Sequence, residues 1–502
     1  MQQIVWESPQ SPIGIALSAK TPEGVEKHPG AIMNRGLSGL VLCALLSGWA
    51  LRCPAQTNDT WQTVDSRYQH ASPEAVERWR DLKYGLRICW GQYNLWNIEA
   101  SWPVRDMSNA RKQEYFDLYK QFNPVEFDAE KWMDLLNRGG LKYFTILTKH
   151  HDGFSMFDTQ TRVKRRINWT AAGGPSIEPC DLAYSIMDSP FHRDIIRELC
   201  EAAHRRGIAI DLYFSHCDWF DADFRGDPDH PLHDPTFSKQ RDPAGYARMV
   251  ARHREQIREI LTRYGRIDMV CLDQFHLPGM DWADMKETIL LARSLQPACL
   301  FRDRGIGAYG DYHTPENRIP DSPQDRESTL PWMVIFNLAG LYTYDPNAAS
   351  YKPGSWIVSN LIDICAKGGN FMVILGPDAK GNFHPQAVKS LEYAGDWLRV
   401  NGEAIYGTRP WVKWNEGDSI RFTRTKDTNY VYAISLKWPG QTLKLNQVRP
   451  RAGSVVRMLG LQQPLRWRLE PSEGLVIELP GELQAEAARP CKQAYAFKIA
   501  TP

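Results

Sequence analysis

From Arg80 to about residue 404 the chain alternates short apolar runs with longer runs of helical period. No other feature restricts the fold as much. Tyr84–Trp90 reads as a strand. Asp128–Arg138 reads as an amphipathic helix, capped by Asp128 and stopped by Gly139-Gly140. Further strands are predicted at Lys142–Thr148, Ile208–Phe214, Asp268–Leu272, Cys299–Phe301 and Asn370–Leu375. Further helices are predicted at Arg193–Arg206, Tyr246–Tyr264, Trp282–Leu295, Ser355–Lys367 and Pro385–Asn401, several ended by glycine. Such alternation means parallel strands joined by crossover helices.

A closed barrel and an open doubly wound sheet both satisfy that pattern. Polar residues discriminate between them. His150, His151, Ser215, Asp273 and Arg304 follow the C-terminal ends of different strands, which is how a barrel builds a site around one mouth. No Gly-rich phosphate loop follows the first strand. The expected fold class is therefore α/β, a (β/α) barrel of the TIM type over residues 76–404. After Ile405 the runs Ser419–Arg424, Tyr430–Lys437, Thr442–Leu445, Ser454–Met458 and Leu475–Leu479 are short, alternating and turn-bounded. They predict an all-β sandwich domain over 405–502, with no assignment for the tail 481–502.

The N-terminal region reads as an address. Residues 37–51 (LSGLVLCALLSGWAL) carry no charge, Arg35 precedes them, and Pro54-Ala55-Gln56 follows. That is the layout of a secretory signal, too short for a comfortable membrane span. Residues 1–56 are read as a mis-called extension with a start at Met33, then the signal; a disordered tail on a membrane anchor is the rival. Residues 57–75 read as a linker. The predicted location is secreted or periplasmic, with no stable span in the mature chain. With 60 basic and 59 acidic side chains, nothing suggests a nucleic-acid or anionic-membrane partner. Ten cysteines show neither a CxxC pair nor zinc-ligand spacing. No metal and no cofactor are expected, and no oligomeric state is implied.

The aromatic content of 11 % suits a sugar-binding enzyme and also a large core. Asp273 ends the apolar strand Met269-Val270-Cys271-Leu272, where an acid needs a partner or a task; a helix cap or structural ion pair are the alternatives. Glu316 lies in Gly310-Asp311-Tyr312-His313-Thr314-Pro315-Glu316, a loop by composition. It can swing toward a leaving oxygen or be merely solvated. His150 and His151 line a pocket if the strand end bends; one structural and one surface histidine, or a metal pair, are the alternatives.

From about residue 75 to 411 the chain resembles the α-L-fucosidase family of retaining glycoside hydrolases. The resemblance rests on the shared order of Phe127–Trp132, Lys142–Phe154 (KYFTILTKHHDGF), His192-Arg193-Asp194, Tyr213-Phe214-Ser215, Asp303-Arg304, Gly310–Glu316, Gly368-Gly369-Asn370 and Asn401–Tyr406. It implies Asp273 as nucleophile and Glu316, twelve residues after Arg304, as acid/base. It implies His150, His151, Tyr213, Arg304, Trp90 and Trp102 as sugar-binding residues. The implied partner is a fucosylated glycan, cleaved from its end by two carboxyl groups about 5–5.5 Å apart. Three positions depart from the family. Cys89 stands where it usually has His, Cys271 where it often has Trp, and Trp332-Met333 where it has Trp-Glu. Cys89 and Cys271 thus join the candidate pocket residues, and a disulfide between them is considered. A lost hydroxyl partner changes sugar selection. The alternatives are the same chemistry on L-galactose or a substituted fucose, or a sugar-binding relative without catalysis.

Overall fold

Seven parallel strands form one sheet: β1 Tyr84–Ile88, β2 Tyr143–Lys149, β3 Ala209–Ser215, β4 Met269–Asp273, β5 Leu300–Phe301, β6 Met333–Asn337 and β7 Asn370–Leu375. They lie in the order β5-β4-β3-β2-β1-β7-β6. The computed structural model describes residues 60–273, 278–325 and 327–502. The predicted signal, Cys43 and Cys53 lie outside the described residues.

The strands read as continuous apolar runs because both faces are covered. Leu86, Ile88, Phe144, Ile146 and Leu212 belong to the layer beneath the helices. Tyr143, Leu147, Tyr213, Met269, Cys271, Met333 and Ile374 fill the inside. The two end strands of the sheet are joined by an eighth, irregular stave. Asp303 N–H donates to the Tyr312 carbonyl (2.9 Å), and His313 N–H to that of Pro331 (2.9 Å). Met333 N–H donates back to the His313 carbonyl (3.0 Å), and Asn317 N–H to that of Ile335 (3.0 Å). The bridges Arg302–Tyr312, His313–Trp332 and Glu316–Ile335 are all parallel. The segment expected as a loop is therefore extended, closes the ring, and ends on Glu316. Its Pro315 lacks a donor, and Gly310 is pressed onto Asp303, which explains both its brevity and its loop-like composition.

Ser72 caps the first helix, Pro73–Leu82. That helix puts Trp79 into the barrel floor, 4.9 Å from the Tyr312 ring. The residues before it correct the linker expectation over 57–75. Tyr68 is buried, with its hydroxyl donating to the Tyr309 carbonyl (2.5 Å), and the Trp61 carbonyl accepts from Ala308 N–H (2.9 Å). Helices Trp282–Leu295 and Pro385–Asn401 have the predicted bounds. The strand Met333–Asn337, the hairpin Val163–Asn168 with Ser176–Leu182, and the helix Asn109–Phe116 are additional.

The C-terminal domain has two antiparallel sheets. One holds Arg409–Glu416, Ile420–Arg424, Tyr430–Ser435, Tyr495–Ala500 and Val456–Met458 in that order; the other holds Thr442–Leu445, Gly474–Glu478 and Arg466–Glu470. Phe422, Leu445, Ile477 and Phe497 share the core between them. The unassigned tail thus supplies an interior strand. The domain docks on the barrel through Trp397 Nε1 donating to the Ala494 carbonyl (2.9 Å) and an Arg421–Asp363 ion pair (2.6 Å). All eight described cysteines are free thiols, so the considered Cys89–Cys271 disulfide is absent.

Candidate active site

Strand β2 runs out at Lys149, and the next four residues build one wall of a cleft at the barrel mouth. Gly153 adopts φ +85°, and a Cβ there would strike the Asp218 carboxylate at 2.0 Å, so only glycine fits the turn. Asp152 holds the turn by accepting from the Tyr115 hydroxyl (2.6 Å), Gln92 Nε2 (3.2 Å) and Phe154 N–H (3.4 Å). Burial still raises its carboxyl to about 6. This bend turns both adjacent histidines toward the cleft, their rings 4.2 Å apart. His150 Nδ1 lies 2.5 Å from Ser101 Oγ, and His151 Nδ1 lies 2.5 Å from Ser215 Oγ. Burial lowers both; His151 falls to about 4 and is neutral near pH 7. His151 Nε2 has no partner among the described residues.

Asp273 ends β4 at the same mouth and is 4 % exposed. The Tyr213 hydroxyl donates to its Oδ2 (2.6 Å), and Arg304 Nε lies 2.7 Å from its Oδ1. Burial raises its carboxyl, but Arg304 and Arg302 outweigh that and hold it well below the usual carboxylate range. The other arm of Arg304 donates to Glu316 Oε1, and Arg302 lies 3.6 Å from the same oxygen. Glu316 keeps 33 % of its side chain exposed. Burial raises it too, yet Arg304, Arg302 and Arg87 together hold it below its ordinary value. The loop is in fact a barrel stave flanked by guanidinium groups.

One narrow cleft opens at this mouth. Asp273, Glu316, His150, His151, Tyr213, Arg304, Cys89 and Trp102 all line it, together with Arg87, Ala100 and Tyr342. The Trp102 ring stands 4.6 Å from His151 and 5.9 Å from Trp219. Two expected residues are elsewhere. Trp90 is in the layer outside the barrel, packed edge-on and tilted among Phe122, Phe127 and Trp132, with its Nε1 donating to the Asp378 carbonyl (3.0 Å). Strand alternation sends it away from the mouth that Cys89 faces. Cys271 sits below the cleft in the barrel interior, 3.4 Å from Arg302 Nη1. Arg87 and Tyr342 were missed. The alternation of β1, in which Arg87 shares the inward face with Cys89, was the available signal for the first.

A second, wider hollow adjoins the cleft, and Arg304 and Glu316 line both. Trp61, Gly307, His313, Pro315 and Glu327 stand in its wall with Asp303, Gly305 and Thr314. Among the described residues no group of three or more His, Cys, Asp or Glu could hold a metal ion. No helix among them is long and apolar enough to cross a membrane.

Two carboxylates facing one cleft with aromatic and imidazole walls, at the C-terminal mouth of a β/α barrel, define a carbohydrate-cleaving hydrolase. An "Alpha-L-fucosidase" family profile matches residues 52–403, and an "Alpha-L-fucosidase C-terminal domain" profile matches 415–500. The chain belongs to the α-L-fucosidase family of glycoside hydrolases. It is 28 % identical over 472 residues to tissue α-L-fucosidase of Homo sapiens, covering 89 % of this chain and 92 % of that one. Against α-L-fucosidase isoenzyme 1 of Paenibacillus thiaminolyticus the TM-score is 0.70 at 25 % identity, covering 86 % of this chain and 99 % of that one. A Bacteroides thetaiotaomicron α-L-fucosidase, solved as a trapped covalent intermediate with 2-fluoro-fucosyl fluoride, shares the fold at TM-score 0.69 and 22 % identity, covering 88 % and 98 %.

Proposed function

We propose that this hydrolase releases a terminal L-fucose-type sugar by double displacement, with Asp273 as nucleophile and Glu316 as acid/base. One observation carries the assignment: a single guanidinium, Arg304, touches both carboxylates at the cleft. One planar group reaching both keeps them near each other, as a retaining pair separated by about 5–5.5 Å requires. Asp273 is ionised and buried, ready to attack the anomeric carbon. Glu316 faces both the cleft and the adjoining hollow, where the leaving group would sit. His150, His151 and Trp102 would grip the sugar. When Asp273 becomes esterified, its negative charge disappears. That charge raises the Glu316 carboxyl, so its loss favours the ionised form of Glu316 just as it must take a proton from water.

Labelling with 2-deoxy-2-fluoro-α-L-fucosyl fluoride, followed by peptide mass spectrometry, tests the reading. The label is expected on Asp273, and a label on any other residue overturns the nucleophile. Both carboxylates stand at the cleft, which favours catalysis over a binding-only relative. The uncharged run 37–51 after Arg35 supports export to the periplasm or beyond. N-terminal sequencing of the mature protein tests it, and a start upstream of residue 37 would refute it.

A further inference from the structure

Arg87 enters the cleft from the C-terminal end of β1 and is 8 % exposed. Its guanidinium carbon stands 4.6 Å over the Tyr213 ring. The charged groups around it are already engaged. Arg304 takes both Asp273 and Glu316, and Arg302 faces Glu316 from behind. Arg87 stands outside these pairs, and its Nε has no hydrogen-bond partner among the described residues. Its neighbour Cys89 is a neutral thiol, pushed up to about 11 chiefly by burial. His150 and His151 are neutral as well. Asp273, Glu316 and the interior Asp211 all feel the Arg87 charge, but none of them forms an ion pair with it, so its guanidinium stands at the cleft almost fully buried with Nε unpartnered. Burying such a charge is costly unless a ligand completes it, and guanidinium groups are well matched to planar or tetrahedral oxyanions.

We propose that Arg87, beside the small Cys89, forms a specificity corner for an anionic oxygen group carried by the bound sugar itself, a sulfate ester or a carboxylate. This rests on the proposed glycosidase reading and narrows it from a plain sugar to a charged one. Arg87 binds substrate through this group, and its pull on Glu316, shared by charged and neutral substrates alike, cancels in their ratio. The pocket offers two donors, the Arg87 guanidinium and the unpartnered His151 Nε2, in the wall where the sugar lies.

The test uses the full chain with 4-nitrophenyl α-L-fucopyranoside, its 2-, 3- and 4-O-sulfates, and a matched uronate. At least one charged substrate is expected to exceed the neutral one in kcat/KM. In Arg87→Met the ratio of charged to neutral kcat/KM should fall roughly 10- to 100-fold, the loss of one charge-assisted hydrogen bond. Arg87→Lys should recover part of it. Sulfate against uronate identifies the source of the anion. Turnover of the neutral substrate with no charged substrate preferred overturns the proposal while leaving the glycosidase reading intact. A ratio unchanged in Arg87→Met also overturns it. No turnover of any substrate by the unaltered protein sinks the glycosidase reading first.

Discussion

Arg304 Nε lies 2.7 Å from Asp273 Oδ1 while the other arm of the same guanidinium donates to Glu316. The two carboxylates are thus tied through one side chain, and neither can change charge unnoticed by the other. Arg304→Met removes the tie. Activity on aryl fucosides should fall by roughly 10²- to 10³-fold, the loss typical for one preorganised electrostatic group. Steady-state kinetics check this, and a variant within a few-fold of the parent would refute the bridging role.

Glu316 must carry a proton to act as an acid, yet Arg304, Arg302 and Arg87 favour its ionised form. An arginine stabilises the anion and lowers the carboxyl; removing it raises the carboxyl. The basic limb of the kcat/KM profile, where protonated Glu316 is lost, should therefore lie on the acidic side of neutrality. It should move to higher pH in Arg302→Met. A limb that stays in place, with the melting temperature preserved, would assign the limb to another group.

The Tyr213 hydroxyl stabilises the Asp273 anion by a 2.6 Å bond. In Tyr213→Phe the carboxyl loses that donor, and its value rises. The acidic limb should shift to higher pH, and kcat/KM should drop roughly 10-fold at the optimum, the worth of one charge-assisted hydrogen bond. A pH–rate profile of the variant reads both effects.

Trp61 is 47 % exposed on the wall of the hollow beyond Glu316. If the leaving sugar lies there, Trp61→Ala should raise KM for a fucosyl disaccharide roughly 5- to 10-fold, the worth of one stacking contact. Fucosyl fluoride, whose leaving group is too small to reach the indole, should respond little. Equal losses on both substrates would instead mean that the variant disturbs the cleft.

Phe497 is fully buried on an interior strand of the C-terminal sheet. Phe497→Ala should destabilise the protein by about 3–5 kcal/mol, the usual cost of an aromatic cavity. Calorimetry or denaturant melts measure it.

Much of this was legible in the chain itself. The alternation of apolar and helical runs predicts parallel strands, and polar residues past their ends predict the mouth. His150, His151, Tyr213, Asp273 and Arg304 stand there. Three things were hidden. The stave ending on Glu316 looks like a loop, because Pro and Gly mask an extended segment whose partners lie far away in sequence. The strand Tyr495–Ala500 follows a turn-rich stretch and pairs with residues 430–435 and 456–458, so local pattern alone leaves it unassigned. Trp90 and Arg87 exchange expectations. The tryptophan beside Cys89 looks like a sugar platform, but alternation sends it outward and brings the arginine in.

The irregular stave has one further consequence. Seven strands of the barrel pair in one continuous parallel sheet, whereas the eighth is held by isolated bridges around a proline, and it carries Glu316. The weakest seam of the scaffold and the proposed proton donor are one piece of chain. On heating, that seam should open first, so the enzyme loses its turnover while most of its secondary structure survives. Amide exchange at Asn317 and Met333 would then act as a gauge of working enzyme, in advance of any global melt.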